Sequence, residues 1–543
     1  MLKPKLNYFS PLPPLRSGIS DYSEELLKEL KKHFEITAFI DNTFKPNKIE
    51  DIKIKNYNDC KNNYPTIHNI GNSALHIYSY KKLEKDPGII ILHDSILHSP
   101  NFERIQEDWS RLFFLKEVLT NHGPRALFDY IKFFLTKPYL KKRKKREKRP
   151  LFEIKRFHQI EKDKDKFRWT NKKSSFMINK ENIEEISMEI YTEYFCKINL
   201  IANNKSINLK LKSNESKNIK IKLNPSKKLK VKINVYKPLS FLSTIRDPHF
   251  RKMGIKIFNI KYKINNKNFY FPLFKEYNHN YFNYIPNKKF LQIKEKIMFS
   301  YPLNKRIILS AKGIITHSQH LKNIVKNINP NISTKVIPHG AYLNQPKLPK
   351  NKIRKKLNLD KGQFIICSFG KIQKHKRLEQ ALKAFKEFSK KTNSIYIIIG
   401  ESDDSININN LIKKLDLEEK VKITDYLTFK EVFEYIYASD VCINMRWPTT
   451  GATSGSLIKS LAVGTPCIIS DLPENKEFPN NCTFKIKKGD NEINNILEAL
   501  NELKVKNTRE TMSNNAIRYI KENHLWKDKA KEFKNFIMEV YQK

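Results

Sequence analysis

No run in the chain approaches the roughly 18 consecutive apolar residues that a membrane-spanning helix needs. The N-terminal stretch MLKPKLNYFSPLPPLRSG goes straight into a strand and loop without the apolar core of a signal peptide, which points to a cytoplasmic protein. Cysteine is scarce and scattered: Cys60, Cys196, Cys367, Cys442, Cys467 and Cys482 lie far apart with no C-x-x-C spacing. That pattern argues against a zinc site or a disulfide framework and for small core residues. None of the usual nucleic-acid recognition motifs is visible either, so a specific nucleic-acid partner is not expected.

Positive charge, by contrast, is abundant. With 103 Lys and Arg against 56 Asp and Glu, the 543-residue chain has a formal charge of +47. Such a balance attracts phosphate in any form, whether nucleic acid, anionic lipid headgroups or a nucleotide-linked substrate. Lysine and asparagine are nevertheless spread along the whole chain, as in KNYNDCKNNY, so charge alone is a weak guide to the partner. A hydrophobic share of 39% and an aromatic share of 11% supply ample core material, which excludes wholesale disorder. At about 150 residues per domain, the length fits three or four domains.

The first forty residues read as strand, loop, helix, strand: LNYF, the Pro/Gly loop SPLPPLRSGIS, the helically spaced DYSEELLKELKKH and FEITAFID. TIHNIGN, HIYSY and GIIILHD follow as candidate parallel strands whose carboxyl ends present loops to a cleft. Residues 103 to 140 look helical with a break at HGP, and KKRKKREKR (141–149) after them reads as a solvated linker. From Phe152 to Tyr270, period-two segments separated by Asn, Ser, Pro and Lys predict a β-sandwich. Helix signals return after residue 288. From Gln363, five apolar strands alternate with amphipathic helices, which predicts a doubly wound parallel sheet. A last helix is predicted over about Thr511 to Tyr541, packing back on the first unit.

Four segments carry candidate chemistry. In FGKIQKHKRLEQAL a strand ends at Gly370, and Lys371, Lys374, Lys376 and Arg377 crowd the turn before a helix. Ammonium groups and the free N–H groups of a helix start both favour a diphosphate, although an ordinary basic loop reads equally well from this segment alone. In RWPTTGATSGSLIKSLAVGTPCIISD, Thr453, Ser454, Gly455 and Ser456 open a helix; taken alone, a routine N-cap is the better reading. In PLPPLRSGISDY, Gly18 can bring backbone N–H groups to a phosphate or sit in a mobile loop. In LHDSILH, His93 and Asp94 end a buried strand, where side chains point into the cleft.

Together these blocks resemble retaining nucleotide-sugar glycosyltransferases of family 4. The likeness rests on Gly370, Lys371 and Lys376 in a G-K-x-x-x-x-K pattern, on RWPTTGATSGSLIKSLAVGTPCIISD, on FSPLPPLRSGISDYSEELL and on IGNSALHIYSYKKLEKDPGIIILHD. It covers about residues 1–140 and 290–520. The resemblance implies an α/β protein of the GT-B class, with two Rossmann-like doubly wound domains facing a cleft and an all-β sandwich inserted in the N-terminal domain. The expected boundaries are 1–145 and 285–345 for the N-terminal acceptor domain, 152–275 for the sandwich, 346–510 for the nucleotide-sugar domain, and 511–543 for the returning helix.

By matching position, the resemblance implies that Lys371 and Lys376 grip the donor diphosphate in place of a metal ion. Gly18 closes that site from the opposite domain, and His93 hydrogen-bonds the transferred sugar, with Asp94 beside it. Thr453, Ser454, Gly455 and Ser456 lie along the sugar and distal phosphate, and Tyr426 or Leu427 borders the base. It further implies transfer of a hexose-type sugar with retention, no cofactor beyond the nucleotide-sugar substrate, and a glycan or lipid-linked acceptor in polysaccharide assembly. The apolar and basic helices of 111–140 then suit peripheral binding at the anionic inner membrane face.

Two departures stand out. Where the family carries two glutamates, this chain has Ala452 and Lys459. This motivates an alternative, a non-catalytic GT-B protein that binds glycan or a partner transferase. RDPHFRKMGIKIFNIKY (246–262) resembles a segment near the end of β-sandwich modules attached to polysaccharide-assembly enzymes, implying glycan or partner contact; a structural spacer fits it as well.

Overall fold

The computed structural model describes residues 3–15, 17–41, 46–60, 64–107, 111–136, 139–143, 152–162, 166–178, 180–192, 196–212, 215–224, 228–236, 256–265, 267–270, 282–286, 288–402, 406–424 and 427–542. They form two compact units, one of residues 1–104, 120–122 and 298–543, the other of 105–119 and 123–297.

The first unit holds two parallel sheets. Its N-terminal half runs β1 (Lys5–Phe9), α1 (Gly18–Leu30), β2 (Glu35–Ile40), β3 (Lys53–Asn56), β4 (Thr66–Ile70), α2 (Ile77–Lys85) and β5 (Ile89–Leu92). It resumes after the intervening unit with β6 (Gly313–Thr316), α3 (Gln319–Ile328) and β7 (Ser333–Val336). The sheet order is β7-β6-β5-β4-β1-β2-β3, with every neighbouring pair parallel. Central strands such as IIIL of β5 are buried on both faces, which is why they read as unbroken apolar runs. The order reverses between β1 and β4, and the crevice outside a reversal of this kind is where α/β sheets bind ligands.

The C-terminal half repeats the plan with β8 (Phe364–Phe369), α4 (Leu378–Lys391), β9 (Ser394–Ile399), β10 (Val421–Ile423), α5 (Phe429–Ala438), β11 (Val441–Asn444), α6 (Gly455–Ala462), β12 (Cys467–Ser470) and β13 (Thr483–Ile486). Its order is β10-β9-β8-β11-β12-β13, again all parallel, with the reversal between β8 and β11. Cys367, Cys442, Cys467 and Cys482 are free thiols buried in this half.

Three helices close the unit: α7 (Glu492–Lys504), α8 (Lys506–Asn523) and α9 (Trp526–Gln542). The single helix predicted over Thr511–Tyr541 is therefore two. The His524 carbonyl accepts the Ala341 N–H (2.6 Å), so it is not available to a helix hydrogen bond, and the Trp526 N–H goes to the Ala341 carbonyl (3.1 Å). Met512, Ala516 and Ile520 of α8 pack into the C-terminal half, while Phe533, Phe536 and Ile537 of α9 pack into the N-terminal half.

The second unit is mainly antiparallel. Its sheet runs Lys205–Leu211, Cys196–Ala202, Leu229–Tyr236, Lys166–Ile178, Lys256–Ile264, Glu185–Thr192 and Glu215–Lys222, with Lys267–Tyr270 and Phe152–Lys162 paired alongside. Long strand Lys166–Ile178 pairs near one end with Leu229–Tyr236 and further along with Lys256–Ile264. Inward residues from both arms, Leu200, Val231 and Ile233 with Ile186, Met188 and Ile257, share one core, as an inserted β module requires. The same unit holds most of helix Arg111–Leu135, all but Thr120–His122; the helix is broken at Gly123 (φ 77°, ψ −177°) before Pro124, where HGP marks the break in sequence. Tyr139–Arg143 pairs antiparallel with Phe282–Pro286, so the start of the basic block read as a linker is a strand. Residues 144–149 and 246–254 lie outside the described residues.

Candidate functional site

The site is built where the two strand-order reversals of the first unit meet. β8 runs into Gly370 (φ 108°), and a short turn, Lys374–Lys376, precedes α4. Lys376 folds back over this turn: a Cβ added at Gly370 would lie 3.2 Å from its Nζ. Its ammonium has no carboxylate partner among the described residues. Burial, aided by the nearby Arg446 guanidinium, pushes its pKa down to about 7. Lys371 is exposed on the same turn. Arg377 instead pairs with buried Glu492 (Nε–Oε1 2.6 Å), which anchors α4 on α7.

Arg446 follows β11 on the other side of the reversal. Its N–H donates to Ser470 Oγ (2.9 Å) and its Nη2 to Ser454 Oγ (2.7 Å), while buried Nε has no partner among the described residues. Burial lowers its pKa, against the pull of Glu474 and Asp94. The His375 carbonyl accepts the Trp447 N–H (2.7 Å) and joins the two loops. Lys376 and Arg446 thus converge at one crevice, a charge arrangement that calls for an anion. Arg446 was missed in the sequence because a lone arginine after a strand carries no signal; its place in the quoted RWPTTGATSG block was the only clue.

The start of α6 adds backbone donors. Ser454 is its N-cap, accepting the Leu457 N–H (3.2 Å), and its hydroxyl donates to Asn444 (2.9 Å). Ser456 accepts from Asn444 Nδ2 (2.7 Å). Both hydroxyls are therefore engaged within the protein. Gly455 lies close to His339: a Cβ there would sit 3.2 Å from the ring Nε2. Thr453 is half-buried in the same loop.

The N-terminal half contributes His93, Asp94 and Ser95, just after β5. The Asn69 amide donates to Tyr8, Ser10 and Ser23, which leaves its Oδ1 to accept from His93 Nε2 (2.5 Å). That bond sets the tautomer and leaves Nδ1 as an acceptor. Burial, with His317, His339 and His76 nearby, holds the His93 pKa well below its ordinary value, so the ring is neutral. Asp94 accepts from the Asn72 N–H (2.9 Å) and the Thr450 hydroxyl (2.6 Å); burial raises its pKa against those bonds.

Ser95 donates both its N–H and its hydroxyl to the Thr450 carbonyl, each at 2.8 Å. Gly451 (φ 74°) faces it so closely that a Cβ would come within 2.7 Å of Ser95 Oγ. The two halves of the first unit therefore touch directly at the site. Gly18, first residue of α1 beyond the N-cap Ser17, is exposed, and a Cβ there would meet nothing within 4 Å. Leu427 packs partly buried against the C-terminal core, and Tyr426 lies outside the described residues.

Lys459, the second departure from the resembled pattern, is engaged within the protein. Its ammonium pairs with Glu25 Oε1 of α1 (2.9 Å) and lies 4.3 Å from the Phe429 ring centre. Glu25 Oε2 accepts from Trp526 Nε1 (2.8 Å). The cation thus ties α6 to α1 and α9. Asp21, close by, is pushed up to about 6 by burial, with Lys459 opposing.

Two parallel doubly wound sheets meeting at their strand-order reversals, with cations and a helix start at the junction, define the GT-B class. Residues 349–519 match the model of the family Glycosyl transferases group 1, so the chain carries a group 1 glycosyltransferase domain. An uncharacterized glycosyltransferase of Methanocaldococcus jannaschii is 25% identical over 251 residues, 45% of this chain and 63% of the relative. The alpha-monoglucosyldiacylglycerol synthase of Streptococcus pneumoniae is 24% identical over 169 residues, 30% of this chain and 38% of the relative. The chain thus spans less than two thirds of either relative. Among solved structures, WaaG, a glycosyltransferase involved in lipopolysaccharide biosynthesis, aligns at 16% identity and a TM-score of 0.37, covering 42% of this chain and 63% of that one.

Proposed function

We propose that the protein transfers a sugar from a nucleotide-sugar to a glycan or lipid-linked acceptor, with retention and without a metal ion. The observation that carries this is the convergence of Lys376 and Arg446, neither bound to a carboxylate among the described residues, beside the N-terminus of α6. There the two cations hold the donor diphosphate and stabilise the charge that develops as the anomeric carbon–phosphate oxygen bond breaks. The acceptor hydroxyl attacks on the same face, and its proton passes to the departing phosphate oxygen. His93 accepts a sugar hydroxyl through Nδ1. Thr453, the backbone of Gly455 and Ser456, Gly18, Lys371, and Tyr426 or Leu427 complete the donor site, and Asp94 holds the Thr450 loop in place. The name of the pneumococcal relative, an alpha-monoglucosyldiacylglycerol synthase, supports a lipid acceptor.

A second reading has its own observation. Ala452 stands where the resembled family has glutamate, and Lys459 is committed to Glu25. A non-catalytic protein that binds the donor would show both features. Turnover of radiolabelled nucleotide-sugars by the wild type, assayed with chelator present and with product anomers read by NMR, tests the transferase reading. Donor binding without turnover in either the wild type or Ala452→Glu would favour the non-catalytic one.

A further inference from the structure

Helix Arg111–Leu135 of the second unit has two apolar faces, of which the fold uses one. Phe114 and Val118 before the Gly123 break, and Ala126, Tyr130 and Phe133 after it, are buried. On the outward side, Phe128, Ile131 and Leu135 recur at spacings of three and four on the second limb, and Leu112 and Leu119 are seven apart on the first. Their exposure is high: 80% for Leu112, 64% for Phe128 and 78% for Leu135. Single exposed hydrophobics are ordinary, but several large ones at helical spacing along one short helical segment mark an interaction surface.

The charges around these stripes are mostly of one sign. Lys116, Arg125 and Lys132 flank them, and Lys132 Nζ lies 6.0 Å from the Phe128 ring centre. Of the two acids on the helix, Glu117 and Asp129, the second is buried and paired with Lys296 (2.6 Å). In sequence, residues 137–149 then add nine Lys or Arg against one Glu. An apolar stripe with basic residues at its edges suits the headgroup boundary of an anionic bilayer: the stripe enters the acyl region while the cations remain among the phosphates. A nucleic acid would answer the charge and leave the aliphatic stripe in water.

We propose that the outward face of Arg111–Leu135 is a docking surface for anionic phospholipid membrane. This deepens the transferase reading, on which it rests only for its purpose: it gives a lipid-linked acceptor the surface on which it is met. The test is flotation of the full chain with vesicles of phosphatidylcholine alone and of phosphatidylcholine mixed with phosphatidylglycerol. Binding to the mixed vesicles is expected to be at least about tenfold stronger. The double variant Phe128→Ser/Leu135→Ser, whose side chains are solvent-exposed and not required for the core, is expected to lose it. Lys116→Glu/Lys132→Glu is expected to abolish the preference for phosphatidylglycerol.

In Phe128→Trp, emission is expected to shift to the blue on mixing with phosphatidylglycerol vesicles. Equal binding to both vesicle types, or undiminished binding by the Ser variant, overturns the proposal. Self-association that the Ser variant abolishes, without vesicle binding, also overturns it and makes the face a contact between copies. Nucleoside diphosphate binding measured without vesicles reports separately on the donor site, so failure of one claim is distinguishable from failure of the other.

Discussion

Lys376 is the residue on which the proposed chemistry turns. A lysine pushed down to about 7 by burial and by Arg446 is only partly charged at neutral pH. A bound diphosphate favours the ammonium and raises that pKa, so binding takes up a proton. Affinity for a nucleoside diphosphate is therefore expected to be full below pH 7 and to fall as pH rises toward 9. Calorimetry in buffers of different ionisation enthalpy checks this, and an affinity flat from pH 6 to pH 9 contradicts it. The places of Lys376 and His93 could be read from the sequence, one in the turn that follows an apolar strand and the other directly after one. The partner of Lys459 could not, because the pairing with Glu25 depends on how α1 and α6 meet.

One element that joins the halves is the loop from Trp447 to Thr453. Gly451 has a left-handed φ of 74° and no room for a methyl group against Ser95. Gly451→Ala is expected to cost about 1 kcal/mol or more in chemical denaturation and to loosen the Ser95–Thr450 contact, seen as faster amide exchange at Ser95. Unchanged stability would mean that the halves are not held together at this loop. At the scale of elements, the C-terminal sheet was plain in sequence because FIICSF, SIYIII, VCIN and CIIS are buried on both faces and read as unbroken apolar runs. The break between α8 and α9 was hidden, because it is imposed by the distant segment His339–Ala341 rather than by a local Pro or Gly. Strand Lys53–Asn56 was hidden too, since an edge strand of sequence KIKN carries little apolar signal.

Across the whole first unit, a cluster of histidines and aromatics lies behind the site. Tyr22 touches the rings of His93, His317, His339 and Trp526, at centroid separations of 4.7 to 5.2 Å. Burial lowers His76, His317 and His524 to about 4. In the unfolded chain each would titrate near 6.5, so the unfolded state binds more protons between those values, and stability falls as pH drops through this window. Each histidine contributes up to about 1.4 kcal/mol per pH unit there. The melting temperature is expected to hold near neutrality and to fall steeply between pH 6.5 and pH 4; constancy down to pH 4 would mean that these rings are protonated without penalty.

The claim that the crevice at Lys376 and Arg446 holds a nucleoside diphosphate is tested most directly by thermal melting of the wild type and Lys376→Ala with UDP, GDP and CDP. A ligand at a hundred times its dissociation constant stabilises the folded state by about 2.7 kcal/mol, and loss of the Lys376 contact removes on the order of 1.5–3 kcal/mol of binding energy. The expected result is a rise in melting temperature with one nucleotide family that Lys376→Ala largely abolishes. The same rise in both proteins, or no rise in either, contradicts a diphosphate held by Lys376.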